Sequence, residues 1–152
     1  MKTKLSIKPL VIALSLFGAT AALADINIGV SVSATGPAAV LGGPQKNTTQ
    51  LFPTSIAGEK INWIVLDDAS DPTNTAKNVA KFLTETKVDL LMTGTTTPGV
   101  MAAAGPAADA KTPLIALAPN RLDGDKFKWT FTMPQPIGLM AEPLLDHAKS
   151  KG

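Results

Sequence analysis

Short, continuously apolar, β-branched runs alternate with amphipathic stretches along the chain, and this alternation limits the fold more than any other feature. The runs are 26–32, 61–66, 88–92, 114–117 and 129–131; the second is apolar on both faces apart from Asn62. Strands of this kind are buried on both sides, as in a parallel sheet covered by helices. The sequence therefore predicts an α/β domain, a doubly wound parallel sheet with right-handed crossovers. With the five strands numbered along the chain, the expected order is 2-1-3-4-5.

The helix between the second and third strands is the best marked. Asp71 can cap it, Pro72 suits its first position, and Ala76, Val79, Ala80 and Leu83 predict one apolar face. A shorter helix is expected to start at Pro44 and stop near Pro53. Another is expected from Pro98 towards Ala110, with Met101, Ala104 and Ala108 on one face and Pro106 kinking or splitting it. A last helix follows Pro136 and carries Leu139, Met140, Leu144 and Leu145.

The first 24 residues predict a leader rather than part of the fold. Lys2, Lys4 and Lys8 precede an apolar run, and Ala22-Leu23-Ala24 offers small residues for cleavage after Ala24. The run is broken by Ser15, Gly18 and Thr20, whereas a spanning helix needs about 20 apolar residues. An exported protein in a periplasm is expected. Without the three lysines the balance falls from 14 basic and 12 acidic side chains to 11 and 12, a net charge of about −1. No basic patch remains for nucleic acid or an anionic membrane surface, so the expected partner is a small molecule.

Catalysis lacks its parts. The chain has no cysteine and one histidine, so nucleophile–base pairs and metal clusters are not expected. Gly42-Gly43 lacks the spacing of a dinucleotide fingerprint, no glycine loop is followed by a phosphate-binding lysine, and no cofactor is expected. Asp67 and Asp68 end the second strand and are expected to be loop acids near the Asp71 cap.

Open parallel sheets bind ligands beyond the carboxyl ends of their strands, where the strand order reverses. For the expected order that point lies between the first and third strands. The loop after the first, 33–43, starts at Ser33 and is small and glycine-rich. The loop after the third, 94–98, offers Thr95, Thr96 and Thr97 before a helix start. A carboxylate is stabilised there by free amides and the helix dipole; the plainer alternative is that Thr96 or Thr97 only caps the helix.

Four segments in register, INIGVSVSATGPAAVLGGPQKN, INWIVLDDASDPTNTAKNVAKFL, VDLLMTGTTTP and TPLIALAP, give a pattern that resembles the branched-chain amino-acid-binding protein family. These are periplasmic receptors of ABC importers with the two-lobed type I periplasmic-binding-protein fold. The resemblance implies a leader (1–24), a ligand-binding first lobe (25–128), and a hinge crossing with the start of a truncated second lobe (129–152). It also implies a membrane permease as partner and a ligand such as an amino acid or other small carboxylate in an interlobe cleft. Carried over by position, it implicates Thr97, with Thr95 or Thr96 beside it, together with Ala118 and Asn120. Leu41 stands where leucine-type receptors place an aromatic ring, and Asn120 where a threonine is usual. Both departures weigh against leucine, isoleucine and valine and leave an aromatic acid open. A sensory module for a membrane receptor, and a truncated product without function, remain alternative readings.

Overall fold

The computed structural model describes residues 25–120 and 123–151; the expected leader and its cleavage point lie outside them. Six strands form one sheet: β1 (Ile26–Val32), β2 (Ser55–Ile56), β3 (Glu59–Asp67), β4 (Leu90–Thr93), β5 (Leu114–Ala116) and β6 (Thr130–Thr132). Their order is β2-β3-β1-β4-β5-β6. β1 pairs in parallel with β3 and β4, with Val30 opposite Val65 on one side and Met92 on the other. The order 2-1-3-4-5 is thus present, with one antiparallel strand added at the edge. That strand was not foreseen. Its turn is Ala57-Gly58, and both residues have positive φ, 51° and 87°, the backbone of a two-residue hairpin. Alanine in a position that favours asparagine or glycine hides the signal.

Among the described residues four α-helices accompany the sheet: α1 (Ala39–Thr49), α2 (Pro72–Lys81), α3 (Thr97–Asp109) and α4 (Ile137–Lys151). α2 begins as expected, with the Asp71 carboxylate accepting the Thr73 N–H at 2.7 Å and Pro72 in the first turn. Its buried face is partly the expected one: Val79 is buried and Leu83 packs on the core. Ala80 is exposed, and Thr75 and Phe82 are buried instead, at the α-helical spacing 75, 79, 82, with Phe82 opening a π-helical turn (Phe82–Thr86). Full burial of a side chain like Phe82 stabilises by roughly 1.5–3 kcal/mol.

Pro44 does not start α1 and Pro106 does not split α3, for one reason. α1 starts at Ala39 and not at Pro44, which lies inside it. α3 runs unbroken through Pro106. In each case the ring sits on an exposed side, where the carbonyl that loses its partner can bond to water. α3 buries Val100, Ala103, Ala104, Ala107 and Ala108, whereas Met101 is exposed.

The helices take opposite faces of the sheet. Val79, Phe82 and Ala103, Ala104 and Ala107 of α2, its π turn and α3 pack on Leu91 and Leu114. On the other face Ile28, Val30, Val32, Ile61 and Met92 form a second cluster with Phe52 and Trp63. The Phe52 and Trp63 rings lie 4.7 Å apart, and the indole N–H donates to the Pro53 carbonyl at 2.9 Å. α4 contributes to neither cluster: Leu139, Met140, Leu144 and Leu145 are all exposed.

Candidate functional site

The carboxyl ends of β1, β4 and β5 lie side by side, so the loops that follow them converge. Ser33 and Thr95 meet directly. The Ser33 N–H donates to the Thr95 hydroxyl at 2.9 Å, and that hydroxyl donates to Oε1 of Gln45 at 2.7 Å. Thr95 is buried and ties the first loop, α1 and the β4 loop together. Gln45 carries no signal of this role in the sequence, because its partner is fifty residues away.

The three hydroxyls of 95–97 have three different uses. Thr96 is the N-cap of α3 and accepts the Gly99 N–H at 3.4 Å. Thr97 is the first residue of α3, is exposed, and donates to the Pro119 carbonyl at 2.8 Å. That bond brings the β4 loop against the segment that holds Ala118 and Asn120. The positive end of α3 lies at Thr97 as well, although Pro98 has no N–H and the Gly99 N–H is taken by Thr96. The capping alternative therefore holds for Thr96, while Thr97 keeps lone pairs free at the surface.

Ala118 is buried, and its carbonyl accepts the Asn120 side-chain N–H at 3.2 Å. The other end of that amide, Oδ1, is buried with no partner. An unpaired acceptor out of water costs about 1–3 kcal/mol, which a donor on a ligand would recover. Asn120 borders a cavity of about 410 Å³ also lined by Pro136, Ile137 and Gly138, a volume suited to a small molecule. A second cavity of about 110 Å³ lies under α1, among Val30, Val32, Phe52, Met92, Leu117 and Met133. Its apolar walls belong to the half-covered sheet face and not to the loops. Leu41 is 58% exposed on the first turn of α1. None of the side chains in 33–43, 94–98 or 118–120 is charged.

Asp67 ends β3, and Asp68 lies in the loop leading to the Asp71 cap, where its carbonyl accepts the Asp71 N–H at 2.9 Å. Asp68 is buried and accepts from Ser33 Oγ (2.7 Å), Ser31 Oγ (3.3 Å), Thr75 Oγ1 (3.2 Å) and the Ser70 N–H (3.0 Å). Ser33 thereby has both its hydroxyl and its amide engaged inside the protein. Asp67 is exposed. Partial burial pushes its pKa up, but hydrogen bonds from the Thr35 hydroxyl and from the Ala69, Thr35 and Ala34 amides outweigh this and hold it below the ordinary carboxylate value.

A sheet with these loops at its carboxyl edge is the architecture that known solute receptors share. The sequence pattern of the periplasmic binding protein family matches residues 25–151. The chain belongs to that family. It is similar to an extracellular ligand-binding receptor from Rhodopseudomonas palustris HaA2, at 40% identity and a TM-score of 0.82, over 85% of this chain and 36% of that one. It is also similar to a solute-binding protein of an ABC transporter from R. palustris BisB5 in complex with 3,4-dihydroxybenzoic acid, at 27% identity and a TM-score of 0.70, over 75% and 33% of the two chains. A branched-chain amino acid transporter substrate-binding protein from Streptococcus pneumoniae, in complex with isoleucine, shares the fold at 23% identity and a TM-score of 0.67, over 74% and 34%. The match thus spans about a third of the length of these structures. A comparison with curated proteins gave no match.

Proposed function

We propose that this chain supplies one lobe of a periplasmic solute receptor for an ABC importer, and that it binds a small carboxylate rather than catalysing a reaction. The observation that carries this reading is the pairing of Thr97 and Asn120. An exposed hydroxyl at a helix start lies against the segment holding an unpartnered acceptor, beside a cavity of about 410 Å³. In this reading the carboxylate sits at the start of α3, where the helix dipole and the Thr97 hydroxyl, turned from the Pro119 carbonyl towards the ligand, stabilise it without a cation. Asn120 Oδ1 accepts from a donor elsewhere on the ligand, an ammonium or a phenol. Leu41 offers an aliphatic rather than an aromatic surface. The leader directs the chain to the periplasm, and a membrane permease receives the loaded receptor.

Relatives that bind 3,4-dihydroxybenzoate and isoleucine make these two compounds the probes. A single lobe keeps only part of the contacts, so binding on the order of millimolar, about −4 kcal/mol, is expected from the chain alone. In a two-lobed form, Thr97→Ala is expected to weaken binding by about 1.5–3 kcal/mol, the range for a hydrogen bond to a charged group. Thr49→Ala, whose hydroxyl bonds to the Lys46 carbonyl within α1, is the control. Calorimetry decides between them. Equal affinity in parent and Thr97→Ala would move the carboxylate off this loop.

A further inference from the structure

The segment that follows β3 is bound to the first ligand loop along its whole width. The Ser70 hydroxyl donates to the Thr35 carbonyl at 3.0 Å and accepts the Ala38 N–H at 2.9 Å. Three residues earlier, at the end of β3, the Asp67 carboxylate accepts the Thr35 hydroxyl at 2.6 Å and the Thr35 N–H at 3.2 Å. The backbones touch as well. A Cβ on Gly36, whose φ is +79°, would lie 2.3 Å from the Ala69 carbonyl oxygen.

Two further features single out Ser70. Ala69 and Ser70 both hold positive φ, 52° and 65°, a left-handed backbone that non-glycine residues seldom adopt. The buried Asp68 carboxylate holds that conformation by accepting the Ser70 N–H at 3.0 Å. On the other side, α1 begins at Ala38, an N-cap with no side-chain hydrogen bond of its own. Ser70 reaches across from another loop and satisfies the Ala38 amide that a local cap would leave free.

We propose that Ser70 is a positioning residue for the ligand site: its hydroxyl fixes the turn 35–38, the start of α1, and with it the place of Leu41 at the cleft. The proposal rests on the binding reading above. Strain held next to a functional loop is the arrangement expected when a loop shape must be maintained in the absence of ligand.

The test compares Ser70→Gly with Ala69→Gly. Glycine suits the left-handed backbone at either position, so both variants relieve strain, but only the first removes the hydroxyl. Amide hydrogen exchange and amide shifts are followed while the chain is titrated with 3,4-dihydroxybenzoate and with L-isoleucine. Ser70→Gly is expected to raise Ala38 amide exchange and to weaken the probe that the parent binds, each by about tenfold, the scale of one or two lost hydrogen bonds. Ala69→Gly is expected to change neither, and the two variants are expected to unfold at similar temperatures. Parent-like exchange at Ala38, or an unmoved affinity in Ser70→Gly, overturns the positioning role alone. So does a much lower unfolding midpoint in Ser70→Gly than in Ala69→Gly, since Ser70 would then serve stability. A parent that binds neither probe overturns the binding reading and this role with it.

Discussion

The amide of Ser33 and the hydroxyl of Thr95 are joined by a buried hydrogen bond of 2.9 Å that links residues sixty-two positions apart. Through Gln45 the same hydroxyl reaches α1. A single side chain therefore sets the distance between the two loops at the point where the strand order reverses.

Thr95→Val keeps the shape of that side chain and removes its hydroxyl. The Ser33 N–H is then left buried without a partner, and the loss expected is about 1–3 kcal/mol. Urea unfolding of parent and variant measures it. A change within about 0.5 kcal/mol, the range of ordinary surface substitutions, would show that the loops are held by something else.

Neighbouring glycines in α1 give opposite expectations. A Cβ on Gly42 would meet the Ser33 carbonyl oxygen at 2.1 Å, while one on Gly43 would meet nothing within 4 Å. Gly42→Ala forces α1 away from the β1 loop and is expected to destabilise by about 1–3 kcal/mol. Gly43→Ala is expected to be neutral or stabilising by up to about 1 kcal/mol, from helix propensity. Thermal unfolding of the pair checks both, and equal midpoints would contradict the packing of α1 on Ser33.

Acid sensitivity follows from Asp67. Its folded pKa is depressed, so its contribution is present above the unfolded value of about 3.9. It is lost as pH falls through the lower folded value. Because the group is exposed, the contribution is small. Asp67→Asn is expected to flatten the acid limb of stability below about pH 4 and to leave the slope near neutrality unchanged. Unfolding free energies measured across the acid range test this; parallel curves for parent and variant would remove Asp67 from the account.

Self-association is expected from α4. Ile137 is 62% exposed, Leu144 73% and Leu145 58%, and such a stripe on one helix invites contact between molecules. Sedimentation velocity over a concentration series should show larger species, and the double variant Leu144→Glu/Leu145→Glu should reduce them. A parent that remains monomeric throughout would contradict this.

Periodicity carried the strands, and the Asp71 cap was legible because its partner Thr73 is two residues away. What it missed depends on distance. Asp68 lies near the Asp71 cap, as its place in the sequence implies, but its burial under hydroxyls from Ser31, Ser33 and Thr75 is not legible there. Pro44 carried a helix-start signal, but the start is set at Ala38 with help from Ser70. For α2 the pattern Ala76, Val79, Ala80 and Leu83 identified Val79 and Leu83 in the core but missed Thr75 and Phe82, which are buried while Ala80 is exposed. At the site, the sequence pointed to the loop 94–98. Only the three-dimensional arrangement separates a linking Thr95, a capping Thr96 and a surface Thr97.

The central place of β1 has a consequence in time. Ile26 pairs with Ile61, and Ser31 pairs with Thr93, so the earliest strand acquires its neighbours late and in reverse order of nearness to the middle of the sheet. Among the described residues only the β2–β3 hairpin joins strands that follow closely in the chain. Long-range parallel pairing of this kind is slow to form. A growing chain that has not yet reached Thr93 can form the hairpin and the β1–β3 edge but cannot enclose β1, which leaves it open and threadable until much of its length has been made.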